Sequence, residues 1–392
     1  MESSQNMKDD KKIKILAIVS GVSLLAGIAC ILVAILQPAP EIEGLNFPQI
    51  PSTVSTEVTY SDLTGLKIAA ADKTAPAYCI QTPNGMDGAR PQAGLDQAGV
   101  VFEAIAEAGI TRFAAIYQKP TSAVIGPIRS LRIYYLQWDT PFDCTIVHAG
   151  GAYDALVAVR DGGYKDLTEN YTYMYRGTLG NRLWNNLFTT SAYLAQMDSD
   201  RGYDSSNIKG FSRMTPEESK RDLVDNGVAE KLVITEPAKG DVATVVAKVD
   251  NISLRFGNIA SFNVNYNYDA ATNSYLRSYE NGNPHDVYVC PDSDLGEVNP
   301  ENNCTLKQLA PSVVVAMVVS EKRASDNYHE DITTIGSGEA YIFQNGYAVP
   351  GRWEKNTVAD QIRFYDGDGK EIVLAPGQTF VEAIPNYGSI DY

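Results

Sequence analysis

Residues 88–151 carry an unusual density of charge inside sequence that otherwise reads as core. The stretch opens GARPQAGLDQAGVVFEAIAEAGITRFAAIYQ, continues through IGPIRSLR and closes IVHAGG. Arg90, Glu103, Glu107, Arg112, Arg129, Arg132 and His148 stand among its apolar runs. Charged groups in such surroundings need partners or a ligand. Whatever fold the chain adopts has to be built around them.

Residues 100–117 alternate. Val101, Glu103, Ile105 and Glu107 fall on one side, Val100, Phe102, Ala104 and Ala106 on the other, and Ala108-Gly109 interrupts the run. The period predicts a β-hairpin in preference to a single helix. With a two-residue loop, Glu107 faces Ile110 and Ile105 faces Arg112. Glu103 and Glu107 then sit diagonally beside Arg112 on one face. That face is either a self-neutralising ion-pair cluster or the floor of a polar site. A one-residue change in the loop would swap the faces.

Arg129 and Arg132 follow the Gly126-Pro127 turn at a spacing that puts both on one face of a helical turn, suited to bidentate anion contacts. Residues 133–138 read as a helix, 144–148 as a strand, and the residues after Gly151 as a helix ending at Gly162-Gly163. A strand, Gly150-Gly151 and a helix together point backbone N–H groups at an anion. The pattern is neither GxGxxG nor a P-loop, and an ordinary strand-to-helix turn reads the same way. The expected anion or ligand site is therefore Arg90, Arg112, Arg129, Arg132, His148, Gly150 and Gly151. In an enzyme, Glu103 or Glu107 would act as base or hold Mg²⁺, and His148 would act as acid. Neighbouring arginines lower the carboxylate pKa, which suits a nucleophile better than an acid. Further on, GNRLWNNLFTT leads into a helix capped by Thr189, Thr190 or Ser191. Trp184, Asn185 and Asn186 suit a sugar-contacting rim or a packed loop.

Only His148, His285 and His329 are available, and neither a complete Ser/His/Asp arrangement nor HExxH occurs. No cofactor and no metal site are expected. The net charge is −16; residues 1–36 hold four Lys and three acids, so the remainder carries −17. Such a surface repels nucleic acid at long range.

Residues 15–36 contain no charge, are long enough to span a bilayer, and follow Lys11, Lys12 and Lys14. They predict a signal anchor in the cell membrane, single-pass, with residues 1–14 cytoplasmic and the bulk extracytoplasmic. A lipidated Cys30 is the competing reading, although the apolar run continues past it. Residues 37–58 read as an extended linker.

Cys290 and Cys304 bracket a polar Gly/Pro/Asn loop and predict a disulfide in an oxidising compartment. Cys79 and Cys144 lie in or beside apolar strand-like runs. Two buried thiols are the preferred reading there over a second bridge.

Residues 59–210 are expected to form a mixed α/β domain, 211–245 a connector with a charged helix, and 246–392 a β-rich domain. In the last, residues 262–268 alternate and return through 275–279 as a hairpin, and SVVVAMVV is a buried strand. The fold class read from these signals is α+β: an N-terminal transmembrane helix, a mixed α/β domain, then a mostly antiparallel β domain. DGDGKE reads as a hairpin turn, since it lacks the spaced acids of a calcium loop.

ARPQAGL, VVFEAIAEAGITRFAAIY, IGPIRSLR and VHAGG in the first half, with NPHD, IGSGEAYIFQNG, GRWEK and FYDGDGKEIVLAPGQTF in the second, carry a resemblance. Over roughly residues 62–388 the chain resembles the YerB-like lipoprotein family, a two-part bacterial domain of unknown function. The resemblance implies a cell-envelope location and a mixed α/β part followed by a β part, with no established activity. This chain departs from the family pattern in three places. Its N-terminus reads as an uncleaved anchor. Gln81-Thr82 stand where the family commonly has Asp-Asn. Trp184-Asn185-Asn186-Leu187 replace a Pro-His-Asn-Leu run.

The functional expectation is a membrane-anchored extracytoplasmic binding or scaffold protein whose partners are cell-wall glycan or envelope proteins. The alternative is an envelope glycan hydrolase or polyprenyl-phosphate/sugar transferase using the Arg/Glu/His cluster.

Overall fold

The chain's central strands are β1 (Ala77–Pro83), β2 (Val100–Glu107) and β3 (Ile110–Gln118). β2 and β3 form the expected hairpin, closed by Ala108 and Gly109 at positive φ, 50° and 78°. Two successive residues of that hand match the twist of the flanking strands. The register departs from expectation one step further in. Glu107 faces Ile110, but a bulge between Ile105 and Glu107 sets Ile105 against Thr111 and Ala104 against Arg112. An extra residue on one strand reverses the face of the residues beyond it. Glu103 and Ile105 keep to one face of the sheet, while Glu107 crosses to the other and joins Arg112.

After β3 come α1 (Ile133–Asp139), β4 (Thr145–His148), α2 (Tyr153–Asp161), β5 (Asp166–Thr168) and α3 (Ser191–Arg201). Thr190 caps α3, its hydroxyl accepting from the Tyr193 N–H. Helix α4 (Pro216–Asn226) is charged. The second half adds β6 (Ala247–Lys248), β7 (Asn251–Arg255), β8 (Val264–Asp269), β9 (Ser274–Tyr279), β10 (Val313–Val319), β11 (Glu321–Arg323) and β12 (Glu330–Ile332). It ends with β13 (Gly336–Gln344), β14 (Tyr347–Lys355), β15 (Arg363–Asp366), β16 (Thr379–Pro385) and β17 (Ser389–Asp391).

The main sheet has 11 strands in the order β6-β14-β13-β10-β16-β2-β3-β1-β4-β5, with β15 paired to β14. β16 pairs in parallel with both β10 and β2, and β4 in parallel with both β1 and β5. β3 is antiparallel to β2 and β1. The carboxyl ends of β10, β16, β2, β1, β4 and β5 therefore share one edge. A second sheet, β9-β8-β7-β17, packs as a separate layer.

This arrangement corrects the α+β expectation. The protein is mainly β, and the described α-helices are short, at 7 to 11 residues. Strands from residues 59–210 and 246–392 belong to one sheet, joined where β16 lies against β2. Every residue of β16 (TFVEAIP) is buried, as a strand covered on both faces requires. The computed structural model describes residues 58–179, 184–226, 247–291, 301 and 303–392, which fall in one compact unit, Ser55–Tyr392. The expected span at 15–36 lies outside the described residues; no described helix is long and apolar enough to cross a membrane.

One face of the sheet packs on α1 and α2, where Tyr134, Tyr135, Trp138, Ala155 and Val159 meet Phe102, Ile116 and Val315. The other meets α3 through Leu194 and Met197. On that same side the second sheet brings Ile252, Leu254 and Tyr266 against Ile105, Val314 and Ile384.

Cys290 and Cys304 form the expected disulfide. The expectation of two buried thiols at Cys79 and Cys144 is corrected: they form a second bridge, Cα atoms 5.7 Å apart. β1 and β4 are parallel neighbours, which brings together two sulfurs 65 residues apart in the chain.

Candidate functional site

The bulge divides the expected Glu103/Glu107/Arg112 cluster into two sites on opposite faces. On the side of the second sheet, Glu103 and Glu382 are register partners on β2 and β16, and the guanidinium of Arg277 (β9) bonds both. All three side chains are fully buried. Tyr266 donates to Glu382, and Asn84 and Thr111 donate to Glu103 at 3.0 and 2.5 Å. Arg277 Nε donates to Nδ1 of His285, which fixes the tautomer: Nε2–H donates to Gln92 Oε1 at 3.0 Å. Burial, together with Arg277 and Arg90, holds His285 well below its ordinary range, so it is neutral. Burial also pushes the Glu382 carboxyl up against the pull of Arg277, and Glu103 beside it pushes the same way. That direction favours the protonated form of Glu382.

On the α1 side, Glu107 accepts from two arginines: Arg112 Nη2 to Oε1 at 2.8 Å and Arg132 Nη2 to Oε2 at 2.5 Å. Burial alone would raise this carboxyl; Arg112 and then Arg132 outweigh it and hold it below the ordinary value. Arg112 also donates to the Ser130 carbonyl, and Arg132 to its neighbour's, Leu131. Burial first, then Arg132 beside it, lowers the pKa of Arg112.

Arg129 and Arg132 do not share a helical turn. Arg132 is extended (φ −124°, ψ 151°) and immediately precedes α1. Arg129 turns elsewhere, its Nε donating to Asn185 Oδ1 at 2.7 Å, while Asn185 donates on to Asp87. Arg90 belongs to the first network: it donates to Asn84 Oδ1 and lies 4.0 Å over the Tyr279 ring.

His148 ends β4 fully buried. Nδ1 lies 2.7 Å from the Gly150 carbonyl and Nε2 2.8 Å from Asp166 Oδ1, so both ring nitrogens are engaged. Gly150 takes positive φ (69°). At Gly151 a Cβ would lie 2.9 Å from the Leu131 carbonyl, so glycine permits the close pass of residues 129–131 against 149–151. The structure thus brings Glu107, Arg112 and Arg132 together, and places Glu103, Arg90, Arg129 and His148 in three other settings.

Arg132 alone of the expected residues opens onto a cavity of about 660 Å³. Its walls come from the start of α1 (Arg132, Tyr134), the start of α2 (Tyr153, Asp154) and the β11–β12 arm (Lys322, Arg323, Asp326, His329, Glu330, Asp331). An isolated bridge between Glu107 and His329 pins that arm to the hairpin end. The cavity sits at the carboxyl ends of β2, β4 and β10, where parallel sheets place their ligands. Tyr153 is 85 % exposed on its rim.

Sequence reading missed Arg277, Glu382 and the β11–β12 arm. Arg277 carried a signal, lying on the same side of an alternating strand as the buried Tyr275. Glu382 is a lone acid in an apolar strand. The arm is a polar segment with nothing to mark it.

Two family models match the chain: "Protein of unknown function (DUF3048) N-terminal domain" over residues 63–204 and the corresponding C-terminal domain over 252–381. A relative from Bacillus subtilis (strain 168), described as "Putative lipoprotein YerB", is 26% identical over 330 residues, 83% of this chain and 86% of its own. The crystal structure of the YerB protein from Bacillus subtilis superposes with a TM-score of 0.65 at 22% identity, covering 85% of this chain and all of that one. The likeness in structure shows the shared fold.

Proposed function

Because the chain belongs to the DUF3048 family, with both the N-terminal and C-terminal parts present, we propose that it is a cell-envelope protein that binds a polar, wall-derived ligand without transforming it. The relative described as a lipoprotein supports a membrane-associated envelope location. The apolar segment at 15–36 would hold the chain at the membrane, with its N-terminus inside and its bulk outside. Two disulfides suit an oxidising compartment.

One observation carries the binding reading: the 660 Å³ cavity at the shared carboxyl edge of the parallel strands, walled by polar side chains with Tyr153 on its rim. An aromatic face beside hydrogen-bonding groups suits a sugar ring. Binding is favoured over the hydrolase or transferase reading because the catalytic candidates do not converge there. His148 and Glu103 are buried elsewhere, and Glu107 is engaged by two arginines.

The test is titration of the full-length protein with solubilised cell-wall glycan fragments, followed by analysis of the recovered fragments. Saturable binding that weakens about tenfold in Tyr153→Ala, with fragments recovered intact, is expected. Absence of binding, indifference to Tyr153→Ala, or release of cleaved product would overturn the reading.

A further inference from the structure

We infer that the cavity seats an anionic group, a carboxylate or phosphate monoester, against Arg132. This rests on the reading of the cavity as a binding site and names what it binds.

The floor carries more positive charge than its own partners balance. Arg112 and Arg132 share the single carboxylate of Glu107. The Nε atoms of both arginines are buried without a hydrogen-bond partner. Arg132 is 4 % exposed, yet it lines the cavity. A buried guanidinium left short of acceptors is stabilised by an anion that reaches it, and its planar fork suits carboxylate and phosphate oxygens.

The walls carry charges of both signs, most of them already engaged. Lys322 pairs with Asp331 at 3.3 Å, and Arg323 with Glu330 at 3.5 Å. Asp326 is held by His329 Nδ1 at 2.6 Å and by the backbone N–H groups of Tyr328 and His329. Asp154 is the lining acid that forms no ion pair among the described residues; its Oδ1 accepts from the Ala155 N–H. The cavity therefore has a cationic floor, two wall ion pairs, a wall carboxylate (Asp326) tied to His329 and to backbone N–H groups, and one carboxylate, Asp154, outside any ion pair among the described residues. Tyr153 beside Asp154 offers a flat face to the ring that carries the anion.

The experiment titrates the full-length protein with three probes sharing one ring type: N-acetylglucosamine, N-acetylglucosamine 1-phosphate and N-acetylmuramic acid. Inorganic phosphate is titrated separately. Both anionic sugars are expected to bind about tenfold tighter than the neutral one, with the advantage shrinking as salt rises from about 50 to 500 mM. Asp154→Asn keeps an acceptor for the Ala155 N–H and removes the opposing charge. It should raise affinity for the anions roughly threefold to tenfold and leave the neutral sugar unchanged. Arg132→Gln should abolish the preference for anions while Glu107 keeps Arg112. The gain in Asp154→Asn carries the test if Arg132→Gln fails to fold. Preference for only one of the two anionic sugars identifies the source of the anion. Equal binding of neutral and anionic sugars overturns the inference and leaves the cavity reading in place. Phosphate binding that responds to Asp154→Asn, with no sugar bound, supports the anion seat and removes the glycan reading. No anion binding at all overturns the inference.

Discussion

Glu382 lies beside Glu103 in the parallel ladder of β16 and β2, and the single guanidinium of Arg277 closes over both carboxyls. The three residues come from strands far apart in the chain and meet where its two halves join. The protonated state of Glu382 sets a pH dependence. Its folded pKa is raised to about 8, above the ordinary 4.5. A raised carboxyl favours the folded state fully below the unfolded value, and that contribution is lost as pH rises through the folded one. Stability from this group should therefore fall between about pH 4.5 and pH 8. Glu382→Gln, which mimics the protonated carboxyl, should flatten that slope, by up to roughly 5 kcal/mol across the window. Urea unfolding of both proteins at several pH values measures it. An equal loss in the variant at every pH would contradict the assignment.

Removing Arg277 strands two buried carboxyls. Arg277→Met should cost about 3–5 kcal/mol. Adding Glu103→Gln and Glu382→Gln to it should recover much of that loss. Denaturant midpoints of the single and triple variants decide the matter, and a triple variant no more stable than Arg277→Met would refute the charge argument.

The two disulfides differ in the length of chain they close, 65 residues against 14. On loop entropy, Cys144→Ser should destabilise about 1 kcal/mol more than Cys304→Ser. Thermal unfolding gives the ranking. Thiol labelling of the denatured, unreduced protein should leave Cys79 and Cys144 unlabelled; labelling of both would restore the reading of them as free thiols.

The hairpin of β2 and β3 was legible because its period and its loop agree. The bulge was not. An extra residue changes the face of Glu107 without altering composition or hydrophobic pattern, and so the apparent cluster of Glu103, Glu107 and Arg112 is two clusters. The merging of the two halves was hidden for another reason. β16 pairs with β2 across more than 270 residues, and a parallel contact of that kind leaves no local signal. The Cys79–Cys144 bridge depends on β1 and β4 being neighbours, and so was hidden with the topology. Arg132 stands out in the sequence and lines the cavity, but the acidic and basic arm that completes that cavity reads in sequence as an ordinary polar loop.

The cavity between α1, α2 and the β11–β12 arm is proposed to hold an anion on Arg132. Crystals of the protein soaked with N-acetylglucosamine 1-phosphate test it most directly. Phosphate density is expected within hydrogen-bonding distance of Arg132, with the sugar ring against Tyr153. An empty cavity under soaking conditions that saturate binding in solution, or phosphate bound at another site, would contradict it.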